Sequence, residues 1–289
     1  MTKGSCLCGD VAWEISTPFT WMTHCHCGMC RKAHGTAFGT YLGTSASGLR
    51  WLRGSAGVVH WESSPGNARP FCGRCGSRVP SEWRGEVAVA AGVLEGELGV
   101  LPDKHIFVGS KAPWHAIRDH LPQHAGSSSS DHELPTRRAT EPAPGVARGA
   151  CLCGGVAYEV DLPLSGGGIT NCHCGRCRKA RGAAYASNAF VALANFRWLR
   201  GAERLRSYKI PEAERFTQVF CGDCGSPQPN VSPARGAAVI PCGSFEDDPG
   251  LREARHIFVS SSAPWFEIAG ELPQYDAYPP APFPDLARA

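Results

Sequence analysis

One cysteine pattern, written twice, constrains this chain more than any other feature. The first copy is Cys6-x-Cys8, Cys25-x-Cys27-x-x-Cys30 and Cys72-x-x-Cys75; the second is Cys151-x-Cys153, Cys172-x-Cys174-x-x-Cys177 and Cys221-x-x-Cys224. Seven thiols are an awkward number for one metal ion and a natural number for two. Four close a tetrahedral structural zinc site, and three leave the ion with an open coordination position. An open position is where chemistry can take place, so the count itself raises an enzymatic reading.

The duplication extends beyond cysteine. Gly4-Ser5-Cys6-Leu7-Cys8-Gly9 returns as Gly149-Ala150-Cys151-Leu152-Cys153-Gly154, and His26-Cys27-Gly28-Met29-Cys30-Arg31-Lys32-Ala33 as His173-Cys174-Gly175-Arg176-Cys177-Arg178-Lys179-Ala180. Trp51-Leu52-Arg53-Gly54, His105-Ile106-Phe107-Val108 and Ala112-Pro113-Trp114 also recur. The offset between equivalents grows from 145 at Cys6/Cys151 to 151 at His105/His256. Small insertions between fixed blocks are what surface loops accumulate. The expected organisation is a duplicated domain: residues 1–123, a linker at 124–148, a second copy at 149–277 and a Pro-rich tail at 278–289. The linker reading rests on Ser127-Ser128-Ser129-Ser130 and Pro142-Ala143-Pro144-Gly145, a stretch too poor in apolar residues to bury a core.

Fifteen cysteines in 289 residues fit either a secreted disulfide scaffold or an intracellular metal protein. The sequence from Met1 to Cys6 has no apolar segment of signal-peptide kind, and the longest apolar run, about Val87 to Leu94, is far too short to span a bilayer. A reducing, cytoplasmic setting without a membrane is expected, in which clustered thiols serve metals. A net charge of +3 gives no electrostatic reason to expect nucleic acid.

Each half reads as short strands punctuated by glycine. Val11, Trp13 and Ile15 alternate with Ala12 and Glu14, and Val156, Tyr158 and Val160 repeat the alternation. Val87-Ala88-Val89-Ala90 and Ile106-Phe107-Val108 are further candidates. A helix is expected from Pro113 to about Leu121, since proline suits a first turn. The class expected is mostly β.

The Cys72-Gly73-Arg74-Cys75-Gly76-Ser77 stretch and its repeat at Cys221 have the form of a zinc knuckle, and each needs two further ligands. Cysteines two apart point to one side of an extended chain, so Cys6, Cys8, Cys72 and Cys75 are paired into one closed site, and Cys151, Cys153, Cys221 and Cys224 into the other. The competing reading is disulfides or buried free thiols. The triplets Cys25, Cys27, Cys30 and Cys172, Cys174, Cys177 would take water, substrate or a histidine as fourth ligand. His26 and His173 sit between two ligands, where an extended chain turns the ring away from them, so support or packing is favoured over ligation. His24 aligns with Asn171 and His34 with Arg181, which excludes a ligand shared by both copies. Arg31, Lys32, Arg178 and Lys179 could offset the charge of a three-thiolate zinc or hold a substrate carboxylate. Cys242 aligns with Ala91 and is read as a small buried apolar residue; Trp51, Trp114, Trp198 and Trp265 are read as anchors of core or loops.

Together these words (Gly-x-Cys-x-Cys-Gly, Cys-His-Cys-x-x-Cys-Arg-Lys, Phe-Cys-x-x-Cys-Gly-Ser, His-Ile-Phe-Val, Ala-Pro-Trp) resemble the GFA domain, the family of glutathione-dependent formaldehyde-activating enzyme and centromere protein V. The resemblance covers Gly4 to about Gln123 and Gly149 to about Tyr275. It implies two β-tent domains of small antiparallel sheets. It also implies about four zincs per chain: two structural, in the sites paired above, and two catalytic, on Cys25, Cys27 and Cys30 and on Cys172, Cys174 and Cys177. The implied activity is that of a carbon–sulfur lyase of the S-(hydroxymethyl)glutathione synthase type, with a small thiol and an aldehyde such as formaldehyde as partners. The alternative is a non-catalytic zinc scaffold that binds a small molecule or a protein, because fold does not fix function. The acidic Phe245-Glu246-Asp247-Asp248 is matched less well by Leu94-Glu95-Gly96-Glu97, and Ser226-Pro227-Gln228-Pro229 differs from Ser77-Arg78-Val79-Pro80, so divergent substrate pockets are expected. Duplication further suggests that the halves pack against each other as a pseudo-dimer.

Overall fold

Strand-forming residues separated by glycine turns give short strands, and a computed structural model of the chain shows how they assemble. It describes residues 1–83, 85–127, 144–164, 167–214 and 216–280. In the first half, Thr2–Ser5, Ala12–Ile15 and Leu49–Arg53 form a three-stranded antiparallel sheet. A five-stranded sheet runs in the order Ser81–Trp83, Glu86–Ala90, Gly39–Ser45, Trp21–Cys25, His105–Ile106. The second half repeats both. Val146–Ala150, Ala157–Asp161 and Phe196–Arg200 form its small sheet. Asn230–Ser232, Ala237–Pro241, Ala186–Ala192, Ile169–Cys172, Glu253–Ile257 and Gln274–Tyr275 form its larger one. The mostly β class is found, with one refinement: His105–Ile106 and Glu253–Ile257 join their sheets in parallel.

Two α-helices occur among the described residues, and neither is where the sequence pointed. Helix α1 spans Gly28–His34 and α2 spans Gly175–Arg181. Seven residues are too few to show a 3.6-residue period, and their first turns are capped by sulfur: Cys30 N–H donates to Cys27 Sγ at 3.3 Å and Cys177 N–H to Cys174 Sγ at 3.4 Å. Gly35 and Gly182 end them at φ 63° and 62°, the left-handed conformation of a helix C-cap. The helix expected over Pro113–Leu121 does not form; a single turn is closed by His115 N–H to Ala112 O. The carbonyls that would continue it are taken by cations, His115 O by Lys111 Nζ at 2.6 Å and Ala116 O by Arg118 Nη1 at 3.1 Å. Pro122 then disfavours helix at Leu121.

Both ends of the stretch expected as a linker are hydrogen-bonded among the described residues. His124–Gly126 hydrogen-bond to His105–Gly109, and Val146–Ala150 is the first strand of the second half; residues 128–143 lie outside the described residues. Of the tail, Tyr278–Pro280 are described, and Tyr278 packs edge-on against Phe258; residues 281–289 lie outside. No helix among the described residues is long and apolar enough to cross a membrane.

A single buried cluster runs through both halves, including Trp13, Phe38, Leu42, Trp114, Tyr158, Tyr185, Ile240 and Trp265. Trp51 and Trp198 are partly buried against it, and Cys242 lies fully buried within it. The halves meet in reciprocal pairs. Helix α1 packs on the turn Cys242–Ser244, and α2 on its equivalent, Ala91–Val93. Lys32 pairs with Glu246 at 2.7 Å and Lys179 with Glu95 at 2.8 Å. Phe71 and Phe220 meet edge to face, and each knuckle glycine abuts the other half's ring: a Cβ on Gly76 would lie 2.6 Å from Phe220, and one on Gly225 would lie 2.5 Å from Phe71.

Candidate metal centres and their surroundings

The knuckle turns and the Cys-x-Cys loops converge as their spacing suggested. The Sγ atoms of Cys6, Cys8, Cys72 and Cys75 lie within 4.8 Å of one another, as do those of Cys151, Cys153, Cys221 and Cys224. Individual separations are 3.3 Å for Cys6–Cys8, 3.7 Å for Cys8–Cys72 and 3.8 Å for Cys153–Cys221. A disulfide needs about 2.05 Å. Thiolates sharing a tetrahedral zinc at about 2.3 Å stand about 3.8 Å apart, so the donor set fits such an ion. Every cysteine of the chain is unpaired. Backbone amides support the sulfurs: Val11 N–H donates to Cys6 Sγ at 3.3 Å and Val156 N–H to Cys151 Sγ at 3.2 Å.

Crowding of thiols separates their proton affinities. Hydrogen bonds from Cys6, Cys72 and Cys8 hold Cys75 far below the ordinary thiol range, and those from Cys151, Cys153 and Cys221 do the same to Cys224. Cys8 and Cys221 are pushed far up in exchange.

Two triplets form separately at the junction of the strands Trp21–Cys25 and Ile169–Cys172 with the first turns of α1 and α2: Cys25, Cys27, Cys30 and Cys172, Cys174, Cys177, again with sulfurs within 4.8 Å. Cys30 is held well below the usual thiol range by Cys25 and Cys27. Cys174 is held at about 3 by Cys172 and Cys177. The surroundings differ. In the first half both Nη atoms of Arg69 lie 3.7 Å from Cys30 Sγ. Arg69 Nη1 also donates to Tyr41 Oη at 3.2 Å, and Tyr41 Oη bonds His34 Nε2 at 2.6 Å. In the second half the aligned residues are Gln218, Asn188 and Arg181, and a cavity of about 360 Å³ opens beside Cys172 and Cys177.

The histidines between the triplet cysteines turn inward, as expected of alternating side chains. His26 Nε2 shares a 2.8 Å hydrogen bond with His105 Nδ1, and His173 Nε2 shares one with His256 Nδ1. His105 Nε2 donates to Asp119 at 2.9 Å. The corresponding residue in the second half is Gly270, so this carboxylate–histidine pair is not repeated there. His105 and His256 were visible as a repeated word, but their pairing with His26 and His173 was not. Burial pushes His26 far down, His173 to about 3 and His256 to about 4, so these rings are neutral. Of the four cations that follow the triplets, Lys32 and Lys179 are tied to Glu246 and Glu95 at the junction between halves. Arg178 Nε donates to His173 O at 3.3 Å, and Arg31 Nε has no partner.

A family model described as glutathione-dependent formaldehyde-activating enzyme matches residues 1–110 and again 146–261. Among solved structures, the crystal structure of a Rhodobacter sphaeroides protein, a structural-genomics target, is 28% identical, covering 37% of this chain and 97% of its own, with a TM-score of 0.30. No curated protein matches the chain. Two matches to one family model, together spanning most of the chain and each enclosing one seven-cysteine set, place the chain in the glutathione-dependent formaldehyde-activating enzyme family as two tandem copies.

Proposed function

We propose that the chain is a zinc-dependent carbon–sulfur lyase-type enzyme acting on adducts of a small, glutathione-like thiol and an aldehyde such as formaldehyde. The observation that carries this reading is one three-thiol cluster and one four-thiol cluster in each half, within a family whose description names glutathione and formaldehyde. The quartets suit structural zinc and the triplets a zinc with one position to spare. A zinc held by three thiolates supplies, when bound, a coordination position for a thiol sulfur. In the synthetic direction sulfur bonds to the aldehyde carbon, the carbonyl becomes a hydroxyl, and the thiol proton ends on that oxygen; nothing is oxidised. The chain's own task is to bring two small reactants together, which lowers the barrier by proximity. The fifteen unpaired cysteines favour a reducing, cytoplasmic setting.

The test replaces Cys27 and Cys174 with Ser, separately and together. The double variant should keep its circular dichroism and its quartet metal while losing aldehyde–thiol turnover by at least about 100-fold, the scale of a lost catalytic group. Turnover that survives in a folded double variant would leave the scaffold reading in its place.

The reciprocal pairs Lys32–Glu246 and Lys179–Glu95 favour a further reading of the assembly, in which the two halves act as a pseudo-dimer fused by the segment between them.

A further inference from the structure

Buried polar atoms are almost always hydrogen-bonded, so those left without a partner point to a missing ligand. Four such atoms belong to residues lining the 360 Å³ cavity beside Cys172 and Cys177: Thr170 Oγ1, Arg181 Nη1, Gln218 Nε2 and Gln228 Oε1. Thr170, Gln218 and Gln228 are each 2% exposed and Arg181 is 9% exposed. The aligned positions of the first half are Thr23, His34, Arg69 and Val79. There, none of these needs is open. Thr23 Oγ1 donates to Asp103 at 3.5 Å. His34 uses both ring nitrogens, on Arg181 O and on Tyr41 Oη, each at 2.6 Å. Arg69 is spent on Ser63, Tyr41 and Cys30. Val79 carries no polar atom to satisfy. At these four aligned positions the first half is thus internally satisfied and the second half is not.

We propose that the two triplets are unequal, and that the thiol substrate binds only in the second half. Its sulfur reaches the Cys172–Cys174–Cys177 cluster. Its amide and carboxylate groups pair with the Gln218 and Gln228 amides, the Thr170 hydroxyl and the Arg181 guanidinium. Arg235, which forms no ion pair among the described residues, lies on the same cavity and adds positive charge for a carboxylate. The ligand class is a peptide-like thiol bearing at least one carboxylate. Arg69 seals the first-half cluster by laying its guanidinium on Cys30, so Gln218 against Arg69 is the residue difference that decides which half is open. The inference rests on the reading of the protein as a thiol–aldehyde enzyme, and two measurements separate their fates.

The first is calorimetric titration of glutathione into the zinc-replete full chain. One site per chain is expected. Gln218→Arg, which installs the first-half residue, should weaken binding at least tenfold, and Arg69→Gln should leave that site's affinity unchanged. Two equivalent sites, or a site indifferent to Gln218→Arg, would overturn the inference. The second is alkylation of the same zinc-replete protein by iodoacetamide, with peptide mapping. The Cys172–Cys174–Cys177 cluster should react at least tenfold faster than the Cys25–Cys27–Cys30 cluster, and Gln218→Arg should narrow the gap; equal rates in the parent protein overturn the inference even if Gln218→Arg misfolds. Failure of glutathione to bind at all would instead remove the substrate reading, with the alkylation ratio still deciding between an open and a sealed triplet.

Discussion

His34 shows how a single side chain joins the halves and makes the fold sensitive to acid. Its ring is fully buried between Arg181 O and Tyr41 Oη, and burial, aided by the Arg78 charge, holds it at about 4. An unfolded histidine titrates near 6.5. Between those values the unfolded chain takes a proton that the folded chain refuses, so stability falls as pH drops from about 6.5 toward 4, at about 1.4 kcal/mol per pH unit for this one ring. Urea unfolding of zinc-saturated parent and His34→Gln proteins at pH 6 and 4.5 should show the parent losing that much more; parallel pH profiles would contradict the assignment. Glu253 is the acidic counterpart. Burial alone would raise its carboxyl, but His115, Arg118 and Asn171 together hold it at about 2. It accepts from Arg118 Nη1 at 2.8 Å, Asn171 Nδ2 at 2.8 Å and His115 Nδ1 at 3.1 Å, uniting both halves on one carboxylate. Removing one member of a buried ionic network costs about 3–5 kcal/mol, so Glu253→Ala should destabilise by that order in equilibrium unfolding. At this scale the sequence was informative where chemistry is local. The pairing of Cys6 and Cys8 with Cys72 and Cys75 follows from ligand spacing, and the inward turn of His26 from strand alternation. Glu253 was not legible, because its partners come from residues 115 to 171 and only the fold brings them together.

Elements repeat the lesson. Strands such as Glu86–Ala90 announce themselves by composition, but α1 and α2 are set by the thiols at their N-caps and by the left-handed glycines behind them, signals that look like metal-ligand spacing and turn chemistry. Pro113 looked like a helix start, yet Lys111 and Arg118 take the carbonyls a helix would need. The turns Ala91–Val93 and Cys242–Ser244 press closely on the helices of the opposite half. A Cβ on Gly92 would lie 2.3 Å from Ala183 N, and one on Gly243 would lie 2.3 Å from Arg31 O. Both neighbours are backbone and cannot swing aside. Gly92→Ala or Gly243→Ala should therefore cost at least the about 1–3 kcal/mol of ordinary overpacking, read as a lowered midpoint in thermal unfolding. A change within about 0.5 kcal/mol, as at an ordinary surface site, would show that the turns are not pressed together as described.

For the whole molecule, duplication has kept the framework while the surroundings of the two triplets differ. The core is shared, the reciprocal lysine–glutamate pairs recur, and the quartets are equivalent, whereas the surroundings of the triplets differ at Arg69/Gln218, Tyr41/Asn188 and Val79/Gln228. Because the two halves share one core, residues 1–127 and 144–289 expressed separately should each be much less stable than the full chain, and mixing them should restore stability; two halves as stable alone as together would contradict a shared core. Four thiol clusters could each hold a metal ion, and we propose that all four do, two with four thiolates and two with three. Elemental mass spectrometry of protein purified without added metal tests it most directly. The account predicts about four zincs per chain, falling to about two when Cys27 and Cys174 are both replaced by Ser. About two zincs in the parent protein, unchanged by those replacements, would mean that the triplets hold no metal, and would contradict it.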